Sequence, residues 1–345
     1  MKRVAIRLDT GKSIGSGHLM RCMSLAEGLQ SEYGIEVVFI CRNELHIETG
    51  FEAVCLGSEY AAGEGGYYFP SICDELDDIK RVLHERRIDC LIVDHYGAGD
   101  DYFEKIRDSV PCLIGIDDST RRRIPVDMII NGNIYGKEAD YGSVPVQLLG
   151  GEYTLLRSEF MDIPGRVLRT QLKIVYITSG GADPLHFCEN IAQVVKTEMP
   201  DMELHIIVGS DFEPGYVDRL KRYKAVLHEN ANMKECMMEA DLFISSAGST
   251  LYELAVTGTP SISYILAEDQ IKVAEKMWEE NCSIEGGRYS EFQPQELTDG
   301  IRRASDFQIR KKMSDRGRKM IQSQGALNVV RQIAILLNIK RQGIR

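Results

Sequence analysis

Three times along this chain a short apolar run passes through small residues into a helical pattern, and that strand–turn–helix grammar restricts the fold more than any other feature. The first instance is Arg7-Leu-Asp9-Thr-Gly-Lys-Ser-Ile14-Gly15-Ser16-Gly17-His18-Leu-Met-Arg21-Cys22. The second is Ser179-Gly180-Gly181-Ala182-Asp183-Pro184, and the third is Ser245-Ser246-Ala247-Gly248-Ser249-Thr250-Leu-Tyr-Glu253. Small residues let backbone N–H groups approach an anion closely, and the helix that follows adds unpaired donors and the positive end of its dipole. In the first turn a histidine opens the helix, so a titratable base stands beside a ready-made anion site.

The runs between these turns have the lengths and spacing of a mostly parallel sheet. Strands are expected at 3–8, 36–41, 89–93, 112–116 and 128–130, with a helix over 18–30 whose Leu19, Cys22, Met23, Ala26 and Leu29 share one face. Around 157–169 the pattern becomes irregular, with Pro164-Gly165 and several charges, and a new strand begins at Lys173. The second half repeats the first, with strands expected at 203–208, 225–227, 241–245 and 261–265 and closing helices over 306–337. The chain thus reads as an N-terminal domain over 1–163 and a C-terminal domain over 164–345, the last helix packing back on the first domain. Glycine turns at strand ends are where open α/β sheets gather ligands, so three of them from two halves point to one diphosphate-bearing ligand in a cleft between domains.

At 345 residues the chain exceeds what one core usually supports. The net charge of −11 argues against nucleic-acid and anionic membrane partners. Nine cysteines are scattered without a C-x-x-C pair or a zinc-like histidine spacing, which fits a reduced cytoplasm and no metal. The opening residues carry charges too close to their apolar run for a signal sequence, and no segment approaches eighteen uninterrupted apolar residues.

Familiar phosphate motifs fail against the first loop. A dinucleotide fingerprint needs glycine where Met20 stands and an acidic residue where Arg42-Asn43 follow the second strand, so NAD is not expected. Gly11-Lys12-Ser13 imitates the end of a Walker A loop, yet the glycine required five residues earlier is Ile6. The structural alternatives remain: Gly15 and Gly17 also suit a plain tight turn, and Thr250 with Glu253 also fits a capping box.

Taken together, these residues resemble a known family: the nucleotide-sugar hydrolases of pseudaminic acid biosynthesis, which release UDP from UDP-2,4-diacetamido-2,4,6-trideoxy-β-L-altropyranose, and the related spore-coat polysaccharide proteins. The likeness runs through Arg7-x-Asp9, Gly15-x-Gly17-His18-x-x-Arg21-Cys22, Ile92-Val93-Asp94-His95-Tyr96, Asp117-Asp118, Leu149-Gly150-Gly151 to Phe160, the Ser179–Pro184 turn, and Ala247 to Glu253. The resemblance implies a GT-B-like α/β fold of the MurG type, two Rossmann-like domains with UDP mainly on the second. It implies His18 and Tyr96 as catalytic residues, His18 as base and Tyr96 in the sugar site. The substrate-binding set it implies is Gly15, Gly17, Arg21, Gly180, Gly181, Ala182, Gly248, Ser249, Thr250, Glu253, Asp269 and Gln270, with Glu253 accepting from the ribose. One departure is Glu268-Asp269-Gln270, where the family usually carries Asn-Gln; the carboxylate removes a donor and adds charge near an anionic ligand.

A sugar diphosphate already holds a good leaving group, so the expected chemistry is attack of water at the anomeric carbon, with inversion, C–O cleavage and neither cofactor nor metal. The alternatives are a GT-B glycosyltransferase, which passes the sugar to an acceptor hydroxyl, and a protein that binds a nucleotide sugar without turning it over. Asp117-Asp118 reads as a cap and turn, because neighbouring residues on an extended chain face opposite ways. Asp94 and His95 either orient Tyr96 or serve structure alone, and His46, His84, His186, His205 and His228 are assigned no chemistry.

Overall fold

Apolar runs bounded by helical segments build two parallel sheets. The structure, a computed structural model, describes residues 2–10, 17–42, 50–57, 71–120 and 122–341. The expected ligand residue Gly15, along with His46, lies outside the described residues. The chain divides into two compact units, Met1–Ser158 with Gln324–Arg345, and Glu159–Ser323.

Unit 1 holds strands β1 (Arg3–Arg7), β2 (Glu36–Cys41), β3 (Glu52–Cys55), β4 (Cys90–Val93), β5 (Cys112–Ile116), β6 (Met128–Asn131) and β7 (Val146–Leu149). Their order is β3-β2-β1-β4-β5-β6-β7, all parallel. Sequence order reverses between β1 and β4, so the loops leaving their carboxyl ends diverge and open a crevice, the usual ligand position in such sheets. Register then decides which residues meet. Arg7 pairs Val93 and Val93 pairs Gly115, so the residues just after β1, β4 and β5 line up along one rim.

Helix α1 (Gly17–Tyr33) returns the chain from β1 across the sheet. Its Leu19, Cys22, Leu25, Ala26 and Leu29 are fully buried, whereas the expected core residue Met23 is only partly so. Each buried leucine contributes roughly 1.5–3 kcal/mol relative to exposure. The C-terminal helix Gly325–Leu336 packs on α1 through Val329, Val330 and Ile333. A Cβ on Gly28 of α1 would stand 2.9 Å from Val330 Cγ2, so glycine sets how closely these helices approach. Helices α2 (Leu76–Glu85) and α3 (Asp100–Ile106) cover the opposite face, where Ile79, Leu83, Tyr102, Phe103 and Ile106 are buried with Leu91 and Leu113. Both faces being covered explains why these strands read as unbroken apolar runs.

Unit 2 repeats the plan with β8 (Ile174–Thr178), β9 (Glu203–Val208), β10 (Val226–Glu229), β11 (Leu242–Ser246), β12 (Ser261–Ile265) and β13 (Ile284–Arg288), ordered β10-β9-β8-β11-β12-β13 and parallel. Its helices are α4 (Phe187–Glu198), α5 (Pro214–Lys221), α6 (Met233–Glu239), α7 (Thr250–Thr257), α8 (Ile271–Glu279), α9 (Pro294–Ser305) and α10 (Phe307–Met320). The reversal here falls between β8 and β11, which sets the Gly180 and Gly248 turns side by side. Phe187, Ile191 and Val195 of α4 bury against Val175, Ile177, Leu204 and Ile206.

The fold is therefore the expected two Rossmann-like sheets of a GT-B-like α/β protein. Strands 36–41, 112–116, 203–208 and 261–265 fall where the sequence places them. The sequence reading omits β3, β7 and β13. β3 is a mostly exposed edge strand, and β13 carries Gly286 and Gly287, so neither shows an apolar run. Among the described residues no helix is long and apolar enough to cross a membrane.

Candidate active site

At the rim of unit 1, His18 in the first turn of α1 faces the residues that follow β4. Its Nδ1 lies 2.7 Å from Asp94 Oδ1. Asp94 also accepts from Arg21 Nε at 2.7 Å, from Arg21 Nη2, and from the Cys22 thiol at 3.2 Å. Complete burial alone would raise this carboxyl, but the Arg21 cation and His18 reverse the effect and hold it far below the usual carboxylate range. An ionised carboxylate only accepts, so Nδ1 carries a hydrogen, and in the neutral ring it is Nε2 that bears the lone pair. Nε2 has no partner among the described residues. A histidine oriented by a buried carboxylate in this way has the form of a general base.

Arg21 spans two carboxylates. Beyond Asp94, its Nη1 donates to Asp118 at 3.2 and 3.0 Å. Asp118 further accepts from the Tyr96 hydroxyl at 2.9 Å and from Asn133 Nδ2 at 2.9 Å. Burial and Asp94 raise the Asp118 carboxyl, Arg21 outweighs them, and the net shift is downward. Tyr96 stands edge-on to His18, with ring centroids 4.8 Å apart at 79°. Desolvation and then Asp118 push its phenol far above the ordinary tyrosine value, so its proton stays put at neutral pH. The hydroxyl is a donor to Asp118, and the ring is a wall for His18.

The cap-and-turn reading of Asp117-Asp118 holds for one residue and is corrected for the other. Asp117 accepts from the Ser119 backbone N–H at 3.1 Å, from Tyr141 OH at 2.9 Å and from Arg122 Nη1 at 3.0 Å, a turn-holding role. Asp118 faces the other way, into the His18 rim, as alternation along an extended chain requires. Asp94, left open by sequence, is the partner of His18. Asn133, just past β6, carries no sequence signal beyond its place in the row of strand ends.

Beneath the rim lies a buried charge network. Arg7 donates from Nε and Nη2 to Glu75 at 2.6 and 2.7 Å, and from Nη2 to Asp9 at 2.8 Å. Arg42 joins through its Nε to Glu75 at 2.9 Å and its backbone N–H to Asp9 at 2.7 Å. His95 Nε2 lies 3.1 Å from Asp9 Oδ2, while its Nδ1 accepts the Gly97 N–H at 2.9 Å. Burial keeps His95 below its ordinary value, so the ring is neutral and staples the segment bearing Asp94 and Tyr96 to β1. The Arg7-x-Asp9 and Asp94-His95-Tyr96 motifs are thus two sides of one construction.

In unit 2 the remaining expected residues stand at the carboxyl ends of adjacent strands. Gly180, at φ 103°, turns the chain after β8 where a side chain would be strained. Gly209 lies under this turn: a Cβ there would meet Gly181 O at 2.3 Å and Gly180 O at 2.4 Å. Asp183 caps α4, accepting from the N–H groups of Phe187 and Cys188 at 2.7 and 2.8 Å and from Tyr216 OH at 2.6 Å. Gly181 and Ala182 are left exposed. After β11, Gly248 leads into α7, which starts at Thr250 with Ser249 as its N-cap and no side-chain capping bond. The Thr250–Glu253 capping box therefore does not form, because the helix begins one residue earlier than that spacing needs. Glu253 is buried on the first turns of α7. After β12, Gln270 Oε1 accepts the Leu266 N–H at 3.0 Å, bracing the turn that exposes Asp269. Arg288 on β13 pairs with Glu268 at 3.0 Å, answering part of this turn's negative charge.

Residues 174–329 match the glycosyltransferase family 28 C-terminal domain. The chain is 28% identical over 267 residues to a UDP-2,4-diacetamido-2,4,6-trideoxy-beta-L-altropyranose hydrolase of Campylobacter jejuni, covering 73% of this chain and 87% of that one. It is 23% identical over 356 residues to the spore coat polysaccharide biosynthesis protein SpsG of Bacillus subtilis, covering 99% of each. It is 25% identical over 285 residues to the uncharacterized protein MJ1062 of Methanocaldococcus jannaschii; that match takes in 75% of this chain but only 55% of the relative's length. Among solved structures, MurG of Acinetobacter baumannii superposes with a TM-score of 0.68 at 15% identity, covering 97% of this chain and 100% of that one. The resemblance carried by the motifs holds: the chain has the GT-B-like fold and is similar, over most of its length, to a nucleotide-sugar hydrolase and to a spore coat polysaccharide biosynthesis protein.

Proposed function

We propose that this chain is a nucleotide-sugar hydrolase that releases UDP from a UDP-linked 2,4-diacetamido-trideoxy sugar, in the biosynthesis of a surface polysaccharide or nonulosonate. The observation that carries the reading is the 2.7 Å contact between His18 Nδ1 and Asp94 Oδ1, which leaves Nε2 as a lone-pair base. In the proposed step a water oxygen attacks the anomeric carbon while its proton passes to His18 Nε2. The bond from the anomeric carbon to the β-phosphate oxygen breaks, and UDP departs with the bonding pair. A single displacement inverts the anomeric carbon and leaves no sugar on the protein. Asp94 stays ionised throughout and stabilises the imidazolium, as in the carboxylate–histidine arrangement of hydrolytic triads. Tyr96 and Asp118 hold the ring's surroundings rather than exchange protons.

On this reading the nucleotide is held in unit 2. The turns formed by Gly180, Gly181 and Ala182 and by Gly248, Ser249 and Thr250 suit a diphosphate, Glu253 suits the ribose hydroxyls, and Asp269 and Gln270 offer further polar contacts. The match to a family 28 glycosyltransferase domain favours a second reading, transfer of the sugar to an acceptor hydroxyl, with the same nucleotide contacts. A panel of UDP-linked acetamido sugars, assayed for UDP with no acceptor present, separates the two. Hydrolysis predicts stoichiometric UDP from the native protein and almost none from His18→Ala; UDP that appears only when an acceptor is added favours transfer.

A further inference from the structure

The His18–Asp94 pair has a neighbour that works against it. Arg21 Nη2 stands 3.2 Å from His18 Nδ1, and since that nitrogen already points its hydrogen at Asp94, the contact sets donor against donor. A cation so close to the ring opposes the arrival of a second positive charge, and it also cancels the carboxylate meant to support that charge. Left as a trio, Asp94, Arg21 and His18 would make a poor proton acceptor.

Among the described residues, Asp118 is the remaining charged member of the cluster. It binds the far side of the same guanidinium with both oxygens, at 3.2 and 3.0 Å, and its own place is fixed before any ligand arrives. Asn133 Nδ2 holds Oδ1, Tyr96 OH holds Oδ2, and Tyr135 OH donates to the Asp118 carbonyl at 2.8 Å. We propose that Asp118 is a positioning residue whose charge offsets that of Arg21, leaving the Asp94 carboxylate free to support a proton on His18. This inference rests on the hydrolase reading for its kinetic consequence, while its electrostatic content concerns the free protein.

Among the described residues, the other groups around the ring do not supply that charge. Cys22 on α1 is pushed well above the ordinary thiol value by burial and then by Asp94, so it is a neutral donor. Tyr96 keeps its proton, and His95 is neutral. Asp9, beyond His95, is answered by Arg7, and Arg7 and Arg42 are answered by Glu75, with Asp74 a further partner of Arg42. One cation bridging two carboxylates also explains why Arg21 is an arginine: its planar fork reaches both at once, which a lysine cannot.

The test is a titration of the 13C-histidine-labelled chain followed by NMR, with the His18 signal assigned by its loss in His18→Gln. In Asp118→Asn the His18 midpoint is expected to fall by about one pH unit. In Arg21→Gln it is expected to rise, and in the double variant to return toward the native value. The acid limb of kcat/KM for UDP release is expected to move with it, a change that a merely structural residue would not produce. An unmoved His18 midpoint in folded Asp118→Asn overturns the proposal; should that variant not fold, an unmoved or lowered midpoint in Arg21→Gln does the same. Because the titration needs no turnover, a protein that proves not to be a hydrolase leaves this result readable, and a failed titration leaves UDP release readable.

Discussion

His18 and Asp94 are 76 positions apart in sequence and 2.7 Å apart in space. Their meeting is a consequence of sheet order. β1 and β4 are neighbours in the sheet, so a helix leaving β1 and a loop leaving β4 start from adjacent points on one edge.

Replacing Asp94 by asparagine keeps the shape and removes the charge. The amide can donate to Nδ1, which would move the ring's hydrogen to Nε2 and consume the lone pair. Turnover is expected to fall by about 10²–10⁴, the range a positioned base supplies, with UDP binding little changed. Steady-state UDP release and a separate UDP titration check the split; a variant with native kcat removes Asp94 from the account.

The same carboxylates set the acid limb of stability. Asp94 and Asp118 have folded values below the unfolded one, so the stability they contribute is complete above the unfolded carboxylate value near ~3.9 and is lost as pH falls below it toward their folded values. Thermal melts from pH 6 down to about 2.5 are expected to show this loss, and Asp94→Asn is expected to melt lower at neutral pH with a flatter acid limb. An Asp94→Asn chain whose melting temperature falls with acid as steeply as the native one contradicts the assignment.

Gly209→Ala tests the nucleotide side without touching a proposed ligand residue. The added methyl meets two carbonyl oxygens of the Gly180–Gly181 turn, so that turn must shift. UDP affinity measured by calorimetry is expected to drop about tenfold, roughly 1.4 kcal/mol. Undiminished affinity would show that this turn does not hold the nucleotide.

Glu253 gives a sharper probe of ribose recognition. A buried carboxylate that accepts from hydroxyls loses its charge in Glu253→Gln while keeping its size, and hydrogen bonds to charged groups are worth about 1.5–3 kcal/mol. UDP is expected to bind roughly ten- to a hundredfold more weakly, whereas 2′,3′-dideoxy-UDP should bind both proteins alike. Equal losses for both ligands would point to a structural role.

Much of this architecture could be read from the residues, and the reasons are local. The central strands are buried on both faces, so Glu36–Cys41, Cys112–Ile116 and Ser261–Ile265 appear as apolar runs of the right length. Edge strands such as Glu52–Cys55 do not, since exposure frees their composition. The Gly17-His18 turn was legible because glycine before a helix-opening histidine is a local signal. The carboxylates that complete it were not, because an aspartate at a strand end looks the same whether it closes a turn, as Asp117 does, or faces a histidine, as Asp94 does. Only sheet order separates those cases, and sheet order is not written in any one segment.

The central claim is that His18 delivers water to the anomeric carbon. The most direct measurement is hydrolysis of the UDP-linked sugar in 18O-labelled water, with mass spectrometry of both products from a single turnover. The account predicts one heavy oxygen in the released sugar and none in UDP; heavy oxygen in the UDP phosphate would place the attack on phosphorus and contradict it.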